Sequence, residues 1–419
     1  MPEGTACPTV RQTDKMRKIS THELIPGMKV LDLDMPWLLH PLVYTTEGVI
    51  QSAEQIAKII AEGFTEAFID DGPDDKGVDT DKDRLNKILA SPDQLPVQFG
   101  TQPGLEPKVA IEEELSAAKG AYEDSMRFAK RALLAVTQNG DISLTEAEEV
   151  VNGVMDSVSR NHNAFMGIIK LRARDEYTYT HSVNVAALAT LFARHLGFSA
   201  DSARRIGVAG LFHDLGKSFI PDEILHSPRK LTAEQFAVMK QHPELGFRQL
   251  RKLDGLYQEV LQGILEHHER FDGRGYPKGL KGDQISLVGR ILGVVDTYDA
   301  MTSARVFKEP MLPHKALSLI YSMRGESFQT EILEQFIRCQ GVYPVGSIVE
   351  LESGWRGVVV ETSPTKPLNP KVVLLQDPTG RGVYGQLMDL AASDTRQSIK
   401  RVLSASEAGI NPAMALSLK

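Results

Sequence analysis

The sequence predicts a multi-domain protein in which a small α+β domain precedes a large all-α domain, and a small β appendage follows it. Three observations lead to this fold class. The 419 residues are enough for two or three domains of ordinary size. Apolar residues recur at helical spacing from about residue 108 to residue 339. Short β-prone runs broken by Pro and Gly lie before and after this helical region.

The α+β domain is predicted at residues 18–106. Residues 1–17 lack a periodic apolar pattern and are expected to form a mobile tail. A capping pattern at Ser52 indicates the start of a helix, and the strand candidate EAFID follows at residues 66–70. Residues 71–106 are rich in Asp, Gly, Pro and Gln. Because this composition buries too little apolar surface to order itself, a disordered loop is expected there.

The helical region divides into a connecting helix, predicted at residues 107–141, and an all-α domain at residues 142–342. From Ser143 onwards the pattern is that of successive amphipathic helices joined by short loops. Residues 343–388 alternate β-prone side chains around turns and are predicted to form the β appendage. Residues 389–419 are polar and are expected to form a helical tail.

Charge and composition exclude several classes of protein. Lys plus Arg number 47 against 55 Asp plus Glu, and the formal net charge of −8 offers no basic surface to polymeric nucleic acid. No run approaches the ~18 consecutive apolar residues of a membrane-spanning helix, and the first residues do not resemble a secretion signal. Cys7 and Cys339 make no disulfide framework. A cytoplasmic protein without a membrane partner is therefore expected.

Histidines are concentrated in the all-α region, where seven of the 11 in the chain lie between His181 and His268. His213 and Asp214 are adjacent at the end of an apolar run. A carboxylate buried there is costly unless it is paired or bound to a cation, so metal ligation is the leading interpretation. His195 and His226 lie outside any polar motif and are interpreted as capped or hydrogen-bonded helical histidines.

Five histidines and two aspartates of this region are too many for one four-coordinate zinc, and their spacing matches neither C2H2 nor HExxH patterns. Two metal ions would use them all, and imidazole with carboxylate ligands suits iron, manganese or zinc. Two metal ions held close together stabilise in-line displacement at a phosphoryl centre, which makes phosphate-ester hydrolysis the leading reaction. The candidate ligands are His181, His213, Asp214, His242, His267, His268 and Asp296.

These residues lie in motifs that resemble those of the HD-GYP family, a branch of the HD hydrolase superfamily. The matching segments span about residues 175–310, and the N-terminal part also resembles a small domain of unknown role found ahead of such catalytic domains. The resemblance implies an HD-type helical catalytic domain at residues 142–342. The segments are HSVNV from 181, HDLGK from 213, HP from 242, HHERFDGRGYP at 267–277, GRILGVVDTYDAMT at 289–302 and RVFK at 305–308.

The resemblance also implies an activity and its cofactors. Members of the family hydrolyse the bacterial second messenger cyclic di-GMP to pGpG or GMP, with a hydroxide between two metal ions as nucleophile. Two divalent transition metal ions, iron or manganese, are therefore expected. By resemblance, Asp214 bridges the two ions. One ion is then held by His181, His213 and Asp296, and the other by His242, His267 and His268.

Further residues are implied to contact the substrate. Lys217 lies four residues after His213, and on one helix face it would point its ammonium at the scissile phosphate, which makes it a catalytic candidate beside Asp214. The glycine-rich loop is associated with substrate contact and with GGDEF-domain partners. The substrate-binding candidates are Lys217, Gly275, Tyr276, Pro277, Arg290, Arg305 and Lys308, of which Arg290 is the weaker.

The chain departs from the family pattern at two places. Members that bind a third metal carry a glutamate four residues before the first histidine, but this chain has Tyr177 there, so two metals are expected. Val306 and Phe307 replace the familiar proline and tyrosine of the RPY stretch, which puts substrate contacts there in question. Neither change affects a candidate metal ligand.

Two alternatives stay open. An enzyme of the same superfamily that hydrolyses another nucleotide, such as cyclic GMP-AMP, (p)ppGpp or a deoxynucleotide, would have the same metal site. A catalytically inactive receptor would bind the dinucleotide and leave it intact, although inactive members usually lose metal ligands and all seven are present here. Metal identity, the final product and a possible homodimer are not determined by the sequence.

Overall fold

The computed structural model describes residues 17–33, 48–50, 52–61, 66–70, 106–138, 141–172, 177–227, 231–303, 310–362, 366, 368–392, 397–412 and 414–415. Nearly all of the predicted N-terminal tail and of the predicted loop at 71–106 lies outside these residues. The described residues fall into two compact units, one ending at Asp70 and the other beginning at Glu106. No helix within the described residues is both long and apolar enough to cross a membrane.

The first unit is a four-stranded antiparallel sheet with one helix. Its strands are β1 (Arg17–Ser20), β2 (Lys29–Leu33), β3 (Gly48–Val49) and β4 (Glu66–Asp70), in the order β1-β4-β2-β3. Helix α1 (Ala53–Ala61) begins after Ser52, whose hydroxyl accepts from the backbone N–H of Gln55. Ile59 of this helix joins a core of strand side chains that includes Val30 and Ile69. The predicted α+β character is therefore confirmed for this unit.

The second unit begins with two long helices, α2 (Ile111–Thr137) and α3 (Leu144–Arg172). They pack against each other along a buried stripe of α2, where the ring of Tyr122 contacts that of Phe165. Helix α3 is kinked at Asn161, whose side-chain amide donates to the carbonyl of Val109 at 2.9 Å. The kink therefore ties α3 to the segment that enters α2.

Ten further helices follow among the described residues of this unit, and several of them carry the candidate site. α4 and α10 are buried along most of their length, because their sequences are apolar on nearly every face. The bounds are α4 (Tyr177–His195), α5 (Ala200–Phe212), α6 (Asp222–Leu225), α7 (Ala233–Met239), α8 (His242–Leu250), α9 (Gln258–Glu266), α10 (Leu287–Thr302), α11 (Pro313–Ser322), α12 (Thr330–Gln340) and, near the C-terminus, α13 (Ala405–Ala408). A 3-10 turn at Leu215–Phe219 follows α5.

The appendage is a five-stranded antiparallel sheet in the order β8-β7-β6-β5-β9. Its core includes Val358, Val373 and Leu403. The strands are β5 (Ile348–Leu351), β6 (Arg356–Glu361), β7 (Lys371–Gln376), β8 (Gly382–Asp389) and β9 (Ile399–Leu403).

The prediction of a polar helical tail after residue 389 is wrong for the strand β9, which pairs with β5 and closes one edge of the sheet. Ile399 and Leu403 are buried, whereas Lys400 and Arg401 face solvent. Five residues with charged outward positions give a weak alternation signal, and the burial of the apolar positions depends on a partner strand far away in the sequence. Among the described residues of this segment, the short α13 and residues 414–415 are helical.

Candidate metal centre

All seven predicted metal ligands lie together in the helical unit, and all seven are buried. They form two groups, and within each group one ligand atom per residue lies within 4.8 Å of the others. Helix packing thus brings side chains that are far apart in the sequence to one place. The first group is Asp214, His242, His267 and His268, and the second is His181, His213 and Asp296.

Helix ends supply most of these side chains. Residues 213–214 directly follow α5, and residues 267–268 directly follow α9. His242 is the first residue of α8, whereas His181 lies within the first turns of α4 and Asp296 in the interior of α10. Three helix ends therefore converge on the faces of two buried helices.

Three of the histidines are oriented by the backbone that precedes them. Nδ1 of His213 donates to the carbonyl oxygen three residues earlier at 2.7 Å, and Nδ1 of His242 and of His267 do the same at 2.9 and 2.7 Å. Because Nδ1 donates its proton to the carbonyl in this arrangement, Nε2 is the nitrogen available to a metal ion. Each ring therefore presents a metal-binding nitrogen to the cluster.

A glycine permits the close packing of two of these helix ends. A Cβ atom on Gly216 would lie 1.9 Å from the carbonyl oxygen of His242 and 2.5 Å from the backbone nitrogen of Gly246. Because only glycine fits here, the 3-10 turn after Asp214 lies directly against the start of α8.

His181 lies between two carboxylates. Its Nδ1 is 2.8 Å from Oδ2 of Asp299, and its Nε2 is 3.0 Å from Oδ1 of Asp296. Burial lowers the pKa of His181, but the hydrogen bonds with Asp296 and Asp299 outweigh it and raise this pKa to about 9. The two carboxylates therefore favour positive charge between them. Sequence reasoning missed Asp299, although its position three residues after Asp296 on α10 places both on one helix face.

Asp214 faces both groups of ligands. Its Oδ1 lies 3.4 Å from Nε2 of His242, and its Oδ2 lies 3.3 Å from Nε2 of His213. Burial alone would raise the pKa of Asp214, but the charges of His213 and Lys217 hold this pKa well below its usual range. The carboxylate is therefore ionised, and each of its oxygens is directed to a different group.

The histidines of the first group are held neutral. Burial lowers the pKa of His267 to about 4, with a further contribution from His213. Burial likewise lowers the pKa of His242 and of His268 well below the usual range. Neutral imidazoles retain a lone pair, which is the form that ligates a metal ion.

The buried atoms of the cluster fit divalent cations. Nε2 of His213 and of His268, and Oδ1 of Asp214, have no hydrogen-bond partner within the described part of the chain. Unsatisfied polar atoms buried in one place are costly, and cations bound between them would remove that cost. Imidazole and carboxylate donors without thiolates suit first-row transition metals.

The glycine-rich loop closes over one side of the first group. The ring of Tyr276 stacks on His268, with ring centroids 4.8 Å apart and planes inclined by 29°. A Cβ atom on Gly275 would lie 2.3 Å from the backbone nitrogen of Arg270, so the loop passes against the backbone after His268. The Glu269 carboxylate accepts from the backbone N–H groups of residues 278 and 280 and fixes the far side of the loop.

The structure places the other predicted substrate residues differently. Lys217 does not share a helix face with His213, because α5 ends at Phe212 and Lys217 lies in the following 3-10 turn, where its Nζ is 2.6 Å from Oδ2 of Asp214. The Arg290 guanidinium donates to Asp283 and Gln329, at 2.8 and 2.7 Å. Arg305, Val306, Phe307 and Lys308 lie outside the described residues, as does the side chain of Tyr177.

The two histidines interpreted as ordinary lie apart from the seven candidate ligands. Nε2 of His195 is 3.3 Å from Oε1 of Gln335. The side chain of His226 is mostly exposed and lies at the C-terminal end of α6, near Asp222. Neither belongs to a group of metal-ligating side chains among the described residues.

Three family models match the chain in succession. Residues 16–147 match a domain of unknown function, DUF3391, and residues 163–332 match the HD domain. Residues 348–410 match a KOW domain associated with the HD domain. The HD match contains all seven candidate ligands, and the KOW match contains the five-stranded sheet with β9.

Curated relatives carry the same kind of domain. The cyclic di-GMP phosphodiesterase PA4108 of Pseudomonas aeruginosa is 35% identical over 364 residues, which cover 85% of this chain and 84% of the relative. The response regulator RpfG of Xanthomonas campestris pv. campestris, also a cyclic di-GMP phosphodiesterase, is 35% identical over 210 residues, covering 50% of this chain and 53% of its own. The 3'3'-cGAMP-specific phosphodiesterase 2 of Vibrio cholerae is 34% identical, covering 39% and 32%. The chain therefore belongs to the HD-GYP family of HD-domain phosphodiesterases.

Proposed function

We propose that this protein hydrolyses cyclic di-GMP to pGpG or GMP with the help of two divalent transition metal ions, iron or manganese. The observation that carries the proposal is the arrangement of the seven buried ligands in two groups that share one ionised carboxylate, Asp214. Two-metal sites with a shared carboxylate are the usual solution for cleavage of a phosphodiester.

The residues divide between the two ions as the geometry suggests. His181, His213 and Asp296 would hold one ion, His242, His267 and His268 the other, and Asp214 both. Bound divalent ions supply an activated water and neutralise the charge of the phosphodiester.

The polypeptide contributes groups beyond the ligands. The Lys217 ammonium is buried beside Asp214 and is the cation of the chain that we assign to the scissile phosphate. Burial, together with the charges of Asp214 and Asp296, raises the pKa of Tyr276 well above its usual value, so its hydroxyl keeps its proton at neutral pH. The loop of Gly275, Tyr276 and Pro277 is proposed to contact the substrate with this hydroxyl as a hydrogen-bond donor.

A second candidate substrate is cyclic GMP-AMP, because relatives named as 3'3'-cGAMP-specific phosphodiesterases also match the chain. Cyclic di-GMP is favoured because the similarity to PA4108 extends over 85% of the chain, whereas the three cGAMP-specific relatives match 39%, 44% and 35% of it. The two dinucleotides differ in one base, so the choice between them depends on contacts to that base and not on the metal site.

A turnover assay on the full-length chain tests the proposal. Protein loaded anaerobically with Fe2+ or Mn2+ is offered cyclic di-GMP, 3'3'-cGAMP and ppGpp separately, and products are resolved by chromatography. We expect pGpG or GMP from cyclic di-GMP at the highest kcat/KM of the panel, and no product from an Asp214→Ala control. A higher kcat/KM for 3'3'-cGAMP would favour the alternative substrate. Bound but intact cyclic di-GMP would identify an inactive receptor.

Partners other than the substrate stay predictions. The GYP loop is proposed as the contact for a GGDEF-domain protein, and a homodimer is also proposed. Both can be examined by size-exclusion chromatography with light scattering, alone and with a GGDEF-domain protein added.

A further inference from the structure

We propose that Asp299 is a positioning residue for the candidate metal centre, where it fixes the tautomer of His181 and thereby makes the position of His181, His213 and Asp296 the tighter of the two metal positions. The inference rests on the proposed function insofar as this centre binds metal. It concerns a residue that is itself not a candidate ligand.

His181 is held differently from the other histidines whose Nδ1 contacts are described. Nδ1 of His213, His242 and His267 each donates to a neutral backbone carbonyl. Nδ1 of His181 instead lies 2.8 Å from Oδ2 of Asp299, which is 1% exposed. A carboxylate partner makes the opposite nitrogen of an imidazole a stronger donor than a carbonyl partner does.

The second oxygen of Asp299 is already occupied by donors. Oδ1 accepts from Nδ2 of Asn184 at 3.1 Å and from Oγ of Ser303 at 2.9 Å. Asn184 lies three residues after His181 on α4, and Ser303 directly follows α10, so the arrangement is built from two adjacent helix faces. With Oδ1 occupied, Oδ2 is directed at His181.

This arrangement determines which nitrogen of His181 carries the proton. Three donors converge on the two oxygens of Asp299, which suits an ionised carboxylate that only accepts. When a metal ion displaces the proton on Nε2, His181 therefore keeps its other proton on Nδ1, and Nε2, which lies 3.0 and 3.6 Å from oxygens of Asp296 and Asp214, becomes the ligating nitrogen. The position served by His181 combines this charge-assisted ligand with the carboxylates of Asp296 and Asp214, whereas the other position has Asp214 as its one carboxylate ligand.

The substitution Asp299→Asn separates tautomer control from packing. Asn184 and Ser303 both donate towards the Oδ1 position, so the amide oxygen of Asn takes that place and its NH2 group faces Nδ1 of His181. The imidazole then keeps its proton on Nε2 and cannot ligate. If Asp299 acted through packing alone, Asp299→Ala would weaken metal binding more than Asp299→Asn, because Asn has nearly the same shape as Asp, whereas Ala leaves a cavity. An analogous effect is known for the triad aspartate of serine proteases.

The experiment measures binding of Mn2+ and Co2+ to metal-free full-length protein, with competition against a chelator and with the visible absorption of bound Co2+. We expect Asp299→Asn to weaken the tighter site by about 10–100-fold. Asp299→Ala should weaken it less, because a water molecule can accept the Nδ1 proton. The exposed control Asp222→Asn, at a side chain that is 93% exposed, should match the wild type.

A charge-conserving exchange provides the rescue. In the double variant Asp299→Asn with Asn184→Asp, the new carboxylate accepts from the amide NH2 and the amide oxygen turns to Nδ1 of His181. We expect metal affinity and the Co2+ spectrum to return towards the wild type. Wild-type affinity in Asp299→Asn, or a larger loss in Asp299→Ala without rescue, would overturn the inference. Wild-type protein that binds two metals but leaves cyclic di-GMP intact would overturn the proposed function alone, and wild-type protein that binds no metal would overturn both.

Discussion

The Nζ atom of Lys217 lies 2.6 Å from Oδ2 of Asp214, and both side chains are at least 96% buried. The lysine thus contacts the one carboxylate that faces both groups of candidate ligands. An ammonium in this place compensates the buried negative charge, and in the proposed reaction it would lie beside the substrate phosphate.

Replacement of Lys217 by Met is expected to slow turnover without removing metal. The variant keeps the length of the side chain and loses its charge, so stabilisation of the phosphoryl transition state should fall by about 10²–10³ in kcat. Metal content by plasma mass spectrometry and kcat on the same preparation check this, with the exposed Lys252→Met as control. Loss of metal together with activity would show that Lys217 supports the ligands instead of the substrate.

Replacement of Asp214 by Ala is expected to empty at least one metal position and to abolish hydrolysis. Removal of the shared carboxylate deprives both groups of a ligand, whereas the surrounding helices keep their own packing. Circular dichroism should therefore match the wild type while metal content falls. Activity that survives in the Ala variant would show that Asp214 has no essential role.

Substitution of Gly275 tests the role of the loop that carries Tyr276, with a glycine in α2 as the control. Gly275→Ala places a Cβ atom 2.3 Å from the backbone nitrogen of Arg270, so the loop must shift away from His268. We expect a loss of about 1–3 kcal/mol in stability and a lower kcat/KM. The control Gly120→Ala lies in the interior of α2 with open space around it, and it should stabilise the protein by about 0.5–1 kcal/mol. Unchanged kcat/KM in Gly275→Ala would argue against a substrate role for the loop.

The acid sensitivity of the five-stranded sheet tests the pairing of β9. Burial raises the pKa of Glu350, but hydrogen bonds from Arg401 and Arg356 outweigh it and lower this pKa below its ordinary value of 4.5. The carboxylate therefore stabilises the folded state above pH 4.5, and this contribution is lost as the pH falls through the lower folded pKa. Glu350→Gln should cost about 1–2 kcal/mol at pH 7 and progressively less below pH 4.5.

Thermal unfolding of Glu350→Gln between pH 3 and pH 8 measures this dependence. The exposed Glu352→Gln is the matched control and should unfold like the wild type at each pH. A difference between Glu350→Gln and wild type that stays constant across this range would contradict the assignment of an ionised Glu350 to the contact between β5 and β9.

The candidate metal ligands could be predicted because burying His and Asp side chains among apolar helices costs free energy unless they are paired or bind a cation. His213 and Asp214 after an apolar run are weak evidence by themselves, and they predicted a metal site only together with the other histidines and Asp296. The helical character of their surroundings followed from apolar spacing. The division into two groups around Asp214, by contrast, came from a resemblance, because spacing in the sequence does not show which helix ends meet.

Other features depend on contacts that the sequence does not display. Asp299 differs from a surface aspartate only through its contact with His181, which comes from another helix. Lys217 was placed on the face of a continuous helix, but α5 ends at Phe212 and the following 3-10 turn packs against α8 at Gly216. The strand β9 was missed because its few buried residues gain their partners from β5, about 50 positions earlier.

The number of metal ions bound per chain tests the central claim most directly. Full-length protein is loaded anaerobically with Mn2+ or Fe2+, dialysed and measured by plasma mass spectrometry against protein concentration, beside His181→Ala and His268→Ala, one variant for each group. We predict two ions per wild-type chain and about one per chain in each variant. A wild-type chain that binds no metal, or variants that bind as much as the wild type, would contradict a two-metal centre built from these seven residues.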